Sequence, residues 1–350
     1  MELVELLRRA VSLGGSDVFI VPGSSVMVKV NHTMQQLTDE KLLSPDTEKL
    51  VRDMYELAHR DFHQLDEAGD DDFSFAIQNV SRFRCNAYRQ RGSMAAICRI
   101  VNFELPDATT MNIPPAVMEL ANLRSGMVLV TGPAGSGKST TLACLVDKIN
   151  TEQEDHIITI EDPIEYLHRH KKSLVSQREV PNDAATFSRA LRAALRQAPD
   201  VVLLGEMRDL DTIRTAITAA ETGHLLLSTL HTIGAAKTVD RIIDAFPSEQ
   251  QTQIRVQLSM VLKAVVSQRL VPAKDGHRIP VFELMTVNPA IQTMIRDGRT
   301  HQIDNVIFGG NDKSMICMDT ELQKLVRGGS ISRETALVYA TNPETLAKRI

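Results

Sequence analysis

The sequence predicts an α/β chain in two parts, a smaller α+β domain followed by a domain built on a mostly parallel sheet. Three observations carry this. A length of 350 residues exceeds what one hydrophobic core ordinarily organises, so about two domains are expected. The stretch 102–115 holds Pro106, Pro114 and Pro115 and has little periodicity, which marks a linker. Beyond it, short apolar runs alternate with segments of helical spacing, as when successive parallel strands are joined through helices. The expected boundaries are 1–105 for the first domain, 106–120 for the linker and 121–350 for the second, with a helical C-terminal part.

Taken in order, Leu3, Val4, Leu6, Leu7, Ala10 and Val11 recur at helical spacing and stop at Gly14 and Gly15. That is an amphipathic helix ended by glycine. Residues 18–21 and 26–30 are β-branched runs on either side of Pro22-Gly23-Ser24-Ser25, which reads as two strands across a turn. A helix is expected over 45–57, a polar turn at Asp70, Asp71 and Asp72, and strands over 73–77, 81–90 and 94–101. In the second part, 127–130 is a buried-strand pattern followed by a glycine-rich loop and an apolar helix over 142–149. Runs at 157–160, 201–204 and 225–228 are further strands, and 186–197 is helical. There is no internal repeat and no low-complexity tract.

Composition excludes several function classes. With 43% hydrophobic and 24% charged residues, the chain is too apolar for disorder. Aromatic residues are 4% with no Trp, which argues against the stacking platforms of single-stranded nucleic acid binders. A formal charge of -5 gives no global field that attracts nucleic acid or anionic lipid. Cys85, Cys98, Cys144 and Cys317 are scattered without a CxxC pair, so neither a disulfide framework nor a zinc clip is expected, only buried reduced thiols. The N-terminus alternates charge with Leu and lacks the form of an export signal, and no apolar stretch is long enough to span a bilayer. The expectation is a cytoplasmic protein without membrane insertion that meets a membrane only through a partner.

The chemistry concentrates in Gly132-Pro133-Ala134-Gly135-Ser136-Gly137-Lys138-Ser139, followed by Thr140, which matches GxxxxGK[ST] between a predicted strand and a predicted helix. Small residues let backbone N–H groups turn inward around phosphates, Lys138 reaches the β and γ oxygens, and Ser139 offers a hydroxyl to Mg²⁺. The dipole of the helix that begins there adds to the attraction. ATP with Mg²⁺ is the expected ligand pair. Phosphoryl transfer further needs carboxylates to hold metal or orient water. Glu161, Asp162 and Glu165 follow one apolar strand, where Pro163 bends the chain, and Glu206 follows another through Gly205. A charge at a strand end is commonly just solvated, but ligands of parallel sheets bind at the C-terminal edge. His224 and His231 flank residues 225–230. Two such histidines suit sensing of a γ-phosphate, but their spacing is not a metal motif, and taken singly each is read as structural. Arg82, Arg84, Arg89, Arg91 and Arg99 crowd the first domain's strands, and Arg189, Arg192 and Arg196 one helix face. Most are solvated surface; as a set, some suit an arginine supplied in trans to a neighbouring subunit's nucleotide.

GPAGSGKSTT at 132–141, TIEDPIEYLH at 159–168, PDVVLLGEMRD at 199–209 and TLHTIGAAKTVDRIIDAFP at 229–247 together resemble the secretion-type traffic ATPases. Within them the chain is most similar to the retraction ATPases of type IV pili, the twitching-motility motors. The resemblance implies a PAS-like N-terminal domain and a RecA-like P-loop NTPase domain, assembled as a homohexamer with ATP between subunits. It implies that Glu161 polarises the attacking water, that Glu206 with Ser139 supports Mg²⁺, that His231 with His224 forms the histidine box, and that Arg82 and Arg84 reach into the site. An inner-membrane pilus platform protein is the implied partner, with a paralogous pilus ATPase a second, at the inner face of the cell membrane. The absence of CxxC after the histidine box separates the chain from assembly and type II secretion ATPases, which usually carry a tetracysteine element. Residues 290–296 resemble the AIRNLIR motif of retraction motors but depart from it at Gln292, Thr293 and Met294; Phe19, Lys29 and Asn31 depart where His, Arg and Gly are usual. Two alternatives stay open: an assembly or type II secretion ATPase, and an accessory ring subunit with weak ATPase activity.

Overall fold

Residues 2–30, 33–101, 105–309 and 314–350 are described by the computed structural model. Asn31 and part of the expected linker, residues 102–104, lie outside them. The chain divides into two units, Met1–Glu104 with Glu165–Leu167, and Leu105–Ile164 with His168–Ile350.

The first unit runs α1 (Leu3–Ser12), β1 (Asp17–Ile20), β2 (Met27–Val30), β3 (Thr33–Gln36), α2 (Ser44–Leu57), α3 (His63–Ala68), β4 (Asp70–Ile77), β5 (Ser81–Gln90) and β6 (Ser93–Val101). The strands form one antiparallel sheet in the order β3-β2-β1-β6-β5-β4. Buried positions alternate along β4 and β5, as a sheet covered on one face requires. Leu7 of α1 and Met54 and Tyr55 of α2 fill that face with Val18, Val28, Phe73 and Phe83. The edge strand β3 is exposed throughout and therefore leaves no apolar period in the sequence.

One expectation fails here. Asp70, Asp71 and Asp72 open β4 instead of forming a turn. The alternation points Asp71 inward, where Tyr55 Oη donates to it at 3.0 Å and Arg60 Nε and Nη2 at 2.9 and 2.8 Å. Pairing with several donors makes a buried carboxylate tolerable. Burial and that carboxylate together push the Tyr55 phenol above its ordinary pKa. Cys85 and Cys98, far apart in the sequence, are register partners across β5 and β6 with their sulfur atoms in contact, and both are buried free thiols.

The second unit opens with α4 (Pro115–Met118), inside the stretch expected as linker, because proline at the first helical position is preorganised for a helix. It continues β7 (Gly126–Thr131), α5 (Lys138–Glu152), β8 (His156–Glu161), β9 (Leu174–Glu179), α6 (Phe187–Ala194), β10 (Val201–Leu204), α7 (Leu210–Glu221), β11 (Leu225–Leu230), α8 (Ala235–Asp244), α9 (Ser248–Val261), β12 (Leu262–Pro272) and β13 (Arg278–Thr286). The helices α10 (Pro289–Arg296), α11 (Ile303–Gly309), α12 (Met318–Arg327), α13 (Arg333–Tyr339) and α14 (Pro343–Ala347) complete it. Its sheet has the order β13-β12-β7-β11-β10-β8-β9 and is parallel except for β13. Every residue of β7, β10 and β11 is buried, which is why apolar residues dominate these strands without alternating, and why their Thr131, Ser228 and Thr229 are buried too. Met127, Ile158, Val202 and Leu226 face the core under α6 to α9, while Val128, Ile157, Val201 and Leu225 face α5 on the other side. This is a RecA-like α/β sheet covered on both faces. Among the described residues no helix is long and apolar enough to cross a membrane.

On β13, Glu283 is buried and accepts the Ala235 N–H at 3.1 Å. Burial raises its carboxyl from an ordinary 4.5 to about 7, with Asp304 and Asp319 adding to the rise and Arg269 opposing it. Between those values the folded chain keeps a proton that the unfolded chain has released, so stability falls as pH rises through the window, by up to about 3 kcal/mol. Glu283→Gln keeps the acceptor for Ala235 without the charge. Thermal melts should therefore show the variant more stable than the parent at pH 8 and close to it near pH 4.5. A variant less stable than the parent at pH 8 would show that the ionised carboxylate is favourable there.

Candidate nucleotide site

The C-terminal edge of the parallel strands collects most of the residues singled out by the sequence. From Thr131 the chain leaves β7 through the loop 132–137 and enters α5 at Lys138. Gly132 and Gly137 have φ of 145° and 90°, conformations that side chains disfavour. They are also packed from below: a Cβ on Gly132 would overlap the carbonyl oxygen of Gln268, and one on Gly137 would lie 2.8 Å from Gln268 Nε2. Lys138 is buried to 9% exposure, and its ammonium donates to the carbonyls of Gly132 and Pro133, each at 3.0 Å. The charge is thereby folded back over the loop. Ser136 is 2% exposed and its hydroxyl oxygen has no hydrogen-bond partner, which an anionic ligand in the loop would supply. A loop with no room for a Cβ at Gly132 or Gly137, a buried ammonium and an orphaned hydroxyl fit a phosphate chain.

Glu161 ends β8, and its Oε1 accepts Thr159 Oγ1 at 2.6 Å and Gln177 Nε2 at 3.3 Å. Both donors stand on strands, so the carboxylate is oriented by the sheet itself. Asp162, next in the chain, is exposed. Glu206 follows β10 and is nearly buried; Arg208 pairs with its Oε1, and His231 Nε2 lies 3.6 Å from Oε2. The hydrogen bond to Glu206 holds the Arg208 guanidinium pKa above its ordinary value. Thr229 Oγ1 donates to the Gly205 carbonyl at 2.6 Å, tying the ends of β10 and β11 together.

His224 does not join this group. It precedes β11 while His231 follows it, so a strand about 20 Å long separates them. Its ring Nδ1 lies 3.0 Å from the Ala219 carbonyl and 3.1 Å from Thr222 Oγ1, at the edge facing away from the loop. Arg82 and Arg84 lie on β5 in the first unit. Arg208 and Gln268 went unnoticed in the sequence. Arg208 stands two residues from Glu206, and Gln268 was marked by Ser267-Gln268 interrupting the apolar run of β12.

Chain comparisons agree with this geometry. The family model described as type II/IV secretion system protein matches residues 2–334. The type IV pilus retraction ATPase PilT of Pseudomonas aeruginosa is 42% identical over 345 residues, 98% of this chain and 99% of that protein. A twitching motility protein of Neisseria gonorrhoeae is 41% identical over 99% of this chain and 92% of its own length. The crystal structure of the pilus retraction motor PilT with bound ADP superposes with a TM-score of 0.90 at 42% identity, covering 99% of each chain.

Proposed function

This chain belongs to the type II/IV secretion system protein family, and on that premise we propose that it is an ATP-hydrolysing motor of type IV pilus retraction. The observation that carries the reading is the phosphate loop at the sheet edge that also holds Glu161, Glu206 and His231, in a chain alike over nearly its full length to a retraction ATPase. In this reading Lys138 and the backbone N–H groups of 132–140 other than Pro133 bind the phosphates, Glu161 orients and polarises the attacking water, and His231 positions Glu206 near the γ-phosphate. Mg²⁺, when bound, neutralises phosphate charge. Ser139 at the start of α5 and Glu206 after β10 would hold it beside the phosphates, as suits a cation that keeps several waters. Arg82 and Arg84 would serve a neighbouring subunit's nucleotide within a homohexamer. The working location is the cytoplasmic face of the inner membrane, against a pilus platform protein, with a paralogous pilus ATPase as a further partner.

A strain lacking this chain is expected to be hyperpiliated and unable to twitch, because extension continues without retraction. Electron microscopy of surface pili tests this; loss of pili on deletion would make the chain an assembly motor instead. The accessory-subunit reading is favoured by one observation. Gln292, Thr293 and Met294, where the chain departs from the retraction motif, lie half-buried on α10 between the buried Ile291 and Ile295. Tight ATP binding without turnover by the purified chain would select it.

A further inference from the structure

We propose that Gln268 is a positioning residue that sets the shape of the phosphate loop from the neighbouring strand. The inference rests on the nucleotide reading of the site and deepens it. Strand β12 runs parallel to β7 with Ser267 opposite Thr131, which brings Gln268 beneath the point where the loop begins. Ser267 Oγ and Thr131 Oγ1 are 2.9 Å apart, fixing that register with a buried hydroxyl pair. The Gln268 carbonyl oxygen then packs on Gly132, its Nε2 packs on Gly137, and its Oε1 accepts Thr141 Oγ1 at 2.7 Å. One side chain thus touches the end of the loop and the first turn of α5. Gln268 and Thr141 are 3% and 0% exposed.

The physical need is plain. A loop of Gly, Pro, Ala and Ser has no large side chains of its own to hold its N–H groups inward, so its shape must be imposed by what lies under it. An aliphatic residue would fill the space beneath at lower desolvation cost, and a buried carboxamide is tolerated only where it is hydrogen-bonded. Here the Gln268–Thr141 bond links β12 to the helix that carries Lys138 and Ser139. Gln268 acts on the phosphates through this loop and helix.

The test is titration of the purified chain and its variants with a fluorescent ADP analogue, with KM and kcat for ATP alongside. Gln268→Met keeps the volume and removes the acceptor; Thr141→Val keeps the volume and removes the donor. Each is expected to weaken nucleotide binding roughly tenfold, since a buried hydrogen bond is lost at one end. KM should rise by the same factor while kcat at saturation changes less. Thr141→Ser keeps the hydroxyl and should bind like the parent, and the double variant should be no weaker than either single one. Mere space filling predicts the reverse order, with Thr141→Val harmless and Thr141→Ser impaired. Should Gln268→Met fail to fold, the two Thr141 variants decide alone. Parent-like binding by Thr141→Val, in a parent chain that binds ADP, overturns the inference by itself; failure of the parent to bind overturns the nucleotide reading and the inference together.

Discussion

Lys138→Ala is expected to lose nearly all ATP turnover, by about 10²-fold to 10³-fold or more, as when a preorganised charge is removed from a developing phosphate charge. The ammonium is already in place over the loop, held by the Gly132 and Pro133 carbonyls. Its positioning therefore requires no large rearrangement, and its loss removes ground-state affinity as well as transition-state stabilisation. Charge-assisted hydrogen bonds are worth roughly 1.5–3 kcal/mol each, so ADP affinity should also fall by at least about tenfold. Phosphate release and ADP titration measure the two effects separately. Turnover within a few-fold of the parent would remove the phosphate loop from the mechanism.

The second large effect is expected of Glu161→Gln, and its signature differs. Gln retains the shape and the Oε1 acceptor that Thr159 and Gln177 hold, so the fold and nucleotide affinity should persist. What disappears is the carboxylate that the proposed mechanism uses to polarise water. Loss of a positioned general base lowers rates by about 10²-fold to 10⁴-fold, which here should appear in kcat with little change in the affinity for ATP. The variant should accumulate as an ATP-bound state, detectable by retention of radiolabelled ATP on gel filtration. If turnover survives, Glu206 with His231 becomes the stronger candidate for orienting water, since those two are brought together on the adjoining strands.

The legible features were local ones. The phosphate loop could be read because strand, glycine run and helix are contiguous and each carries its own signal: an apolar run, positive-φ glycines and helical spacing. Strand β10 is legible because burial on both faces leaves four apolar residues in a row, and β11 because three leucines precede its buried Ser228 and Thr229, while β3, exposed along its length, carries no such run. The family resemblance pairs His224 with His231, and the two bracket one short apolar run. In an extended strand that run carries them to opposite ends of the sheet. Asp71 was placed in a turn because three acids in a row look solvated; the partners that allow its burial, Tyr55 and Arg60, lie 16 and 11 residues away in the chain.

The sequence alone therefore determined the two-part α/β class, the phosphate loop and the resemblance to retraction motors, since each is written in contiguous residues whose conformations follow from local sterics and periodicity. Tertiary structure alone decided which distant residues meet: His231 with Glu206, Glu161 with Gln177, and Gln268 with Thr141, 127 residues apart. Those meetings depend on the order β12-β7-β11-β10-β8-β9. That order is set by how helices pack on both faces of the sheet, and no single stretch of chain encodes it.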